Sequence, residues 1–299
     1  MNVLLIYNPY AGNGRAKSLL DSVLDYCKSA GLNVTLRKTE YSGHAVELTA
    51  KADLSHYDAL VASGGDGTLY EVVNGYYLNN SKLKPPVGLI PNGTGNAFMK
   101  ELGLSKDDWQ KSIDIIAANN VRLIDVARYQ ADNQIRYFVN VMGTGFVAHV
   151  NETANKFKWL GNAAYTLATL LRLINLKSYK LELVMDGKAV TKQGIFVEVA
   201  NTRYTGTTFL IAPKAQIDDG KLDIVVLNKT GRIRLLQLFR TIYDGSHINH
   251  PELDYYQVEA ISITEETPQP LVPDGEILGS TPVKIQCLHK DLAFIWPEK

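Results

Sequence analysis

The segment YDALVASGGDGTLYEVVNG, residues 57–75, constrains the fold more than any other stretch of the chain. Its apolar run from Tyr57 to Ala62 reads as a buried strand. The run stops at Ser63-Gly64-Gly65-Asp66-Gly67-Thr68, and Leu69, Val72 and Val73 then recur on one helical face. Three glycines around one acid let the backbone turn sharply and approach a ligand where a side chain would obstruct it. They also leave amide groups free at the mouth of a helix, where phosphate is favoured. A carboxylate in such a loop repels phosphate unless Mg²⁺ lies between them, or unless a substrate hydroxyl must lose a proton there. A plain strand-to-helix turn with a solvated Asp66 is the alternative.

The first 120 or so residues alternate strand, loop and helix. Strands are expected at Val3–Asn8, Asn33–Lys38, Tyr57–Ala62 and Val87–Ile90, and helices at Arg15–Ala30, at Gly43–Ala52 and from Leu69. Such alternation predicts a parallel sheet flanked by helices, with ligands at the carboxyl ends of the strands. The glycine-rich loops Asn8–Gly14, Ser63–Thr68 and Pro91–Asn96, with the dipeptide Thr39-Glu40, all leave strand ends. From about Arg122 short strands with period-two alternation dominate: Val121–Gln130, Arg136–Met142, Leu181–Met185, Gln193–Ala200, Leu222–Leu227, Gln257–Ile263 and Val283–Leu288. Asp186-Gly187 is a hairpin turn, and helices interrupt near Leu160–Asn175 and Arg232–Tyr243. The expectation is an α/β domain over residues 1–121, followed by a mostly antiparallel β-rich domain over 122–299 whose last strand is able to return to the first domain. The cleft between them would be the working site.

Two familiar nucleotide fingerprints fail. A Walker A loop would need glycine at Ala11 and Ala16 before Lys17-Ser18, and a dinucleotide fingerprint on Gly12 and Gly14 meets Lys17 at its third glycine. Arg15, just after this loop, is placed to reach a phosphate or to lie solvated at a helix start. The loop IPNGTGNAFMKELGL, residues 90–104, adds a second phosphate-competent turn, with Asn96 able to cap the next helix.

The segments NPYAGNGRA, TEYSGHAVELTAKA, SGGDGTLYEVVNGY and IPNGTGNAFMKELGL, in that order, resemble the diacylglycerol kinase catalytic domain of bacterial lipid kinases, which are similar to sphingosine and ceramide kinases. The likeness continues through FVNVMGTGFVAHV, AQIDDGKLDIVV and VPDGE, and so covers essentially the whole chain. GGDGT alone is shared with NAD kinases. The later PNGTGNAF, DGKLD and DGE point to the lipid kinases, with the two-domain NAD kinase/diacylglycerol kinase-like architecture. Many relatives carry Asp where this chain has Ala97.

The resemblance implies Mg²⁺-dependent transfer of the γ-phosphate of ATP to a lipid hydroxyl. Gly64, Gly65, Gly67 and Thr68 would cradle phosphate, and Asp66 would orient the active Mg²⁺ or its waters. Asn8 and Thr39 would face the nucleotide, and Thr94 and Asn96 would complete its wall. Glu71 would hold a ribose or a metal water, or else be a helix-surface carboxylate. Asp274, with Glu276 in the same turn, is the family's candidate general base. Asp66 is its rival, and the sequence leaves the two open; a Pro-Asp-Gly turn is the plain alternative. Asp219, with the carbonyls of Gln216 and Lys221, would form a separate structural Mg²⁺ site, where an Asp-Asp-Gly turn is the alternative.

Lys plus Arg equals Asp plus Glu at 31 each, so bulk charge gives no argument for nucleic acid. Cys27 and Cys287 fit neither a disulfide framework nor a metal knuckle. Met1–Ile6 lacks a basic leader, and no stretch reaches about 20 clean apolar residues. The expected location is the cytoplasm, with at most peripheral membrane contact. From Thr153 to Leu181 there is no acid, and Lys156, Lys158, Arg172, Lys177 and Lys180 interleave with Phe157, Trp159, Leu160 and Tyr165. With Lys229, Arg232, Arg234 and Arg240, this suits an anionic membrane surface; an ordinary core helix is the alternative. The partners implied are ATP and a lipid with a free hydroxyl, with homodimers common in the family. An NAD kinase and a non-catalytic lipid-binding pseudokinase are the competing readings.

Overall fold

A computed structural model describes residues 1–157, 163–206 and 208–298. The chain forms two compact units, Met1–Val126 with Lys290–Lys299, and Ala127–His289.

In the first unit, strands β1 (Asn2–Tyr7), β2 (Asn33–Lys38), β3 (Ala59–Gly64) and β4 (Val87–Pro91) run parallel. Their order is β4-β3-β1-β2, with Leu5 beside Val61 and Leu60 beside Val87. Helices α1 (Arg15–Ser29), α2 (His44–Lys51), α3 (Asp66–Leu78), α4 (Phe98–Glu101) and α5 (Trp109–Ala118) follow in chain order. Ala16, Val23 and Cys27 fall on one face of α1 and pack with Ile113 and Ile116 of α5 against Val3, Leu5, Tyr7 and Val61. β3 is buried along its whole length, as expected of a parallel strand covered on both faces. The alternation in the sequence is thus the alternation in the fold, and it leaves every strand-to-helix loop at one edge of the sheet.

β5 (Val121–Ala131) links the units, and β6 (Gln134–Phe138) hairpins back on it. The second unit continues with β7 (Val141–Gly145), α6 (Phe146–Lys156), α7 (Ala163–Ile174), β8 (Tyr179–Met185), β9 (Lys188–Ala200), β10 (Leu222–Asn228) and α8 (Arg232–Thr241). It closes with β11 (Leu253–Val258), β12 (Ala260–Glu265), β13 (Leu271–Pro273) and β14 (Val283–Ile295). The order β11-β10-β9-β8-β12-β14 is antiparallel, and β7 adds to the C-terminal half of β9 and carries β13. Asp186 and Gly187 both take positive φ in the β8–β9 hairpin, as its tight turn demands. β14 is shared: Val283–Gln286 pair with β12, whereas Phe294 pairs with Val87 in the first unit.

Two expected strands are each split, for a common reason. The run Arg136–Met142 breaks between β6 and β7 because the amides of Val139 and Asn140 go to the Asp274 carboxylate. The run Gln257–Ile263 breaks at Glu259 because the amides of Glu259 and Ala260 go to Asp186 Oδ1. α5 and α6 are helices that the periodicity did not announce. Lys158, Trp159 and Leu160 lie outside the described residues.

Candidate active site

Three glycine-rich loops of the first unit meet at the start of α3. A methyl built on Gly65 would stand 2.7 Å from the Gly95 carbonyl oxygen, and one on Gly12, where φ is +62°, would stand 2.6 Å from the Asn92 carbonyl oxygen. Only hydrogen fits at these contacts, so the glycines are required by backbone approach. The loops are tied as well as packed. The amides of Asn92 and Gly93 bond the Gly64 carbonyl (2.9 and 3.0 Å), and the Asp66 amide bonds the Gly95 carbonyl (3.2 Å). Helix α3 opens on Gly65 without a side-chain cap, so its first turn keeps the donor character that attracts anions.

The side chains divide into those facing this junction and those committed to other elements. Asn8 Nδ2 donates to Thr68 Oγ1 (3.1 Å), joining the end of β1 to the first turn of α3. Asp66 accepts from the amides of Ala97 (2.8 Å) and Phe98 (3.2 Å), so it fixes the residues after the second loop. Asn96 is buried; its Nδ2 donates to the Gly93 carbonyl, while its Oδ1 and that of Asn92 are buried without a partner. Thr39 is buried at the end of β2, and Thr94 is exposed at the loop tip.

Glu71 accepts from Gly43 N (2.7 Å) and Ala45 N (3.0 Å), supplying the cap that α2 lacks. Arg15 forks onto Asp107 (2.7 Å) and the Lys106 carbonyl (3.0 Å). That pair is exposed, so it holds the arginine weakly.

In the second unit Asp274 is buried with φ at +45°. Its carboxylate accepts from Val139 N (3.2 Å), Asn140 N (3.0 Å) and Val141 N (3.2 Å), and its own amide donates to the Val141 carbonyl. A carboxylate offers about four lone-pair positions, so these donors fix the side chain in one orientation. Glu276 is exposed on the same turn. Close to this turn in strand register, Asn140 Nδ2 and Glu198 Oε2 are buried without a hydrogen-bond partner, and Asn201 Nδ2 donates to the Val139 carbonyl (2.9 Å).

Asp219 Oδ1 accepts from Lys221 N (3.0 Å), closing a turn in which Gly220 takes positive φ. Asp219 also lines a cavity of about 590 Å³ with Asp186, Glu259, Gln286 and His289, and Gln216 is exposed. Carboxylate and carbonyl oxygens beside water-accessible space suit a hard cation such as Mg²⁺. At the glycine junction, the half-buried Asp66 carboxylate and the orphaned Asn92 and Asn96 amide oxygens are oxygen groups of the type a hard cation takes. Among the described residues, no group of three His, Cys, Asp or Glu side chains forms a metal cluster.

Three carboxyls of the second unit titrate high, each chiefly through burial: Glu198 at about 8, Glu265 at about 7 and Asp223 at about 6. The basic face is less free than its composition suggests. Arg172 donates to Thr153 and Glu152, Lys180 to Glu182, and Arg234 to Glu252. Lys156, Lys229 and Arg232 are exposed, and Ile233 on α8 is 76% exposed. No helix among the described residues is long and apolar enough to cross a membrane.

Residues 2–129 match the diacylglycerol kinase catalytic domain, and residues 140–296 match the YegS C-terminal NAD kinase beta sandwich-like domain. The chain is 31% identical over 299 residues to a diacylglycerol kinase of Mycobacterium tuberculosis, covering 99% of this chain and 95% of that protein. It is 29% identical to a diacylglycerol kinase of Bacillus subtilis, covering 99% and 96%. A crystal structure of a putative diacylglycerol kinase from Bacillus anthracis superposes with a TM-score of 0.83 at 26% identity, covering 99% of this chain and 95% of that one. The glycine junction falls in the first matched segment and the Asp274 turn in the second, and the chain belongs to the diacylglycerol kinase family of ATP-dependent lipid kinases.

Proposed function

We propose that this chain transfers the γ-phosphoryl group of ATP to the free hydroxyl of diacylglycerol or a closely related glycerolipid. The observation that carries this reading is the junction of Gly12, Gly65 and Gly93 with the uncapped start of α3. Such a nest of backbone donors takes the phosphates, while Asn8, Thr68 and Asn96 fix its walls. Thr39, Thr94 and Arg15 line the approach, and Glu71 supports it through α2.

Phosphoryl transfer asks mainly for positioning and charge neutralisation. The lipid oxygen forms its bond to the γ-phosphorus as the bond to the ADP oxygen breaks, and the hydroxyl proton passes to a carboxylate. We assign that proton to Asp274, with Asp66 as the competing acceptor and Glu276 as a second charge on the Asp274 turn. Mg²⁺ would be held at Asp66, and a second ion at Asp219 with the carbonyls of Gln216 and Lys221; when bound, it supplies charge neutralisation for the phosphates. The lipid reaches the protein from an anionic membrane surface that meets Lys156, Lys229, Arg232 and Ile233. That contact fits peripheral association from the cytoplasmic side.

Purified protein incubated with labelled ATP, Mg²⁺ and either a lipid extract or NAD tests the reading. Label is expected in the organic phase alone. Label on NAD, or no transfer, overturns it.

A further inference from the structure

Glu198 is the one acid in the apolar stretch Ile195-Phe196-Val197-Glu198-Val199-Ala200 of β9. It lies in register with Gly143 of β7 and Val225 of β10, between Phe196 and Ala200 on its own strand. Phe196, Ala200, Val141 and Val225 belong to one apolar cluster with Leu173 of α7 and Leu235 and Leu238 of α8. The carboxyl therefore projects into an apolar layer between sheet and helices. Glu198 is 5% exposed, and its Oε2 is buried without a partner.

Burying a polar group unpaired costs stability that an apolar side chain of similar size would not. Nothing among the described residues offsets that cost here, so a bound group is the natural partner. On the opposing position, a methyl on Gly143 would stand 2.5 Å from Val147 Cγ2 and 3.7 Å from Glu198 Cγ, so Val147 packs over Gly143 and adds another apolar side chain beside Glu198. The rung is also close to Asp274. Val272 pairs with Gly143, which pairs with Glu198, so the carboxyl lies two strands across from the Asp274 turn, about 10 Å at usual strand spacing.

We propose that Glu198 is a positioning residue of the acceptor site, donating a hydrogen bond from its carboxyl to an ester carbonyl of a neutral diacyl lipid. This rests on the lipid kinase reading above. Burial keeps the proton on Glu198 up to about pH 8, so the group is a neutral donor at physiological pH. A neutral donor in an apolar layer suits an uncharged ester and disfavours a charged headgroup. The surrounding leucines, valines and phenylalanines are the surface in which acyl chains dissolve.

The test compares dioleoylglycerol with its diether analogue, which keeps the hydroxyl and lacks the carbonyls, in the wild type, Glu198→Gln and Glu198→Leu. The wild type is expected to show a lower KM for the diester. In Glu198→Leu the diester KM rises about tenfold and the preference vanishes, while the ATP KM holds. Glu198→Gln keeps a donor and stays within about threefold of the wild type. Glu198→Leu also removes an unpaired carboxyl, so its Tm is expected to hold or rise, whereas a purely structural glutamate would show a fall in Tm with no change in preference. An unchanged ester preference in Glu198→Leu, or equal KM increases for ATP and lipid, overturns the proposal while leaving the kinase reading intact. A wild type that phosphorylates neither lipid removes that reading, and this inference with it.

Discussion

Gly93 and Gly65 lie backbone against backbone: a methyl on Gly93 would stand 2.7 Å from the Gly65 amide nitrogen. Neither strand end is able to shift without disturbing a buried sheet, so Gly93→Ala is expected to cost about 2–3 kcal/mol. The ATP KM should rise at least about tenfold with it, since a displaced loop loses its phosphate donors. At Gly95 the same methyl meets only Asp66 Oδ2, at 3.7 Å, so Gly95→Ala should stay within about 0.5 kcal/mol of the wild type. Urea unfolding and ATP-dependence assays on both variants check the contrast.

Asp274→Asn separates a chemical role from a structural one. The amide keeps one acceptor oxygen but turns an NH₂ toward a backbone donor, so about 1–3 kcal/mol of stability is expected to go. If Asp274 takes the hydroxyl proton, turnover per folded molecule falls by a further factor of about 100 or more while the ATP KM holds. Turnover that merely tracks the folded fraction would leave Asp274 as a clamp on β7 and pass the base role to Asp66.

Charge reversal at Lys156 and Arg232 tests the membrane-facing assignment. Both are exposed, unlike the paired Arg172 and Arg234. The double variant Lys156→Glu/Arg232→Glu should lose activity on anionic vesicles, roughly 1 kcal/mol of surface attraction per cation removed, and keep it on dispersed short-chain lipid. Equal losses on both substrates would refute the contact.

Stability should fall with rising pH, and Glu265 supplies part of the slope. Burial raises its carboxyl from 4.5 to about 7, so the folded chain holds that proton where the unfolded chain has released it. The native state then binds more protons across that interval, and unfolding free energy decreases as pH climbs through it. Relative to Glu265→Gln, the wild type should lose about 3 kcal/mol between pH 4.5 and 7.5. Parallel urea titrations at the two pH values measure the difference, and equal slopes would show that Glu265 is not the source.

The α/β half was readable because its determinants are local. Asn33–Lys38 is a strand with the limits its composition suggests, and Arg15 to Ser29 keeps one apolar face over the whole of α1. The breaks at Val139 and Glu259 were not readable, since each is set by an aspartate far away in sequence, Asp274 and Asp186. The glycine loops stood out as motifs, but which loop touches which depends on strand order. Glu71 shows the same limit: its partners, Gly43 and Ala45, belong to a helix earlier in the chain. Glu198 is marked in the sequence as a single acid inside the apolar stretch Ile195–Ala200.

The division of β14 has a consequence for biosynthesis. The last residues of the chain complete the first unit, where Phe294 packs on Phe98 and Arg122 lies over Trp296. A ribosome must therefore translate the whole second unit before the first gains its closing strand. The nascent amino-terminal half waits with an open sheet edge, and a stop codon anywhere before Lys290 would damage the unit encoded at the opposite end of the message.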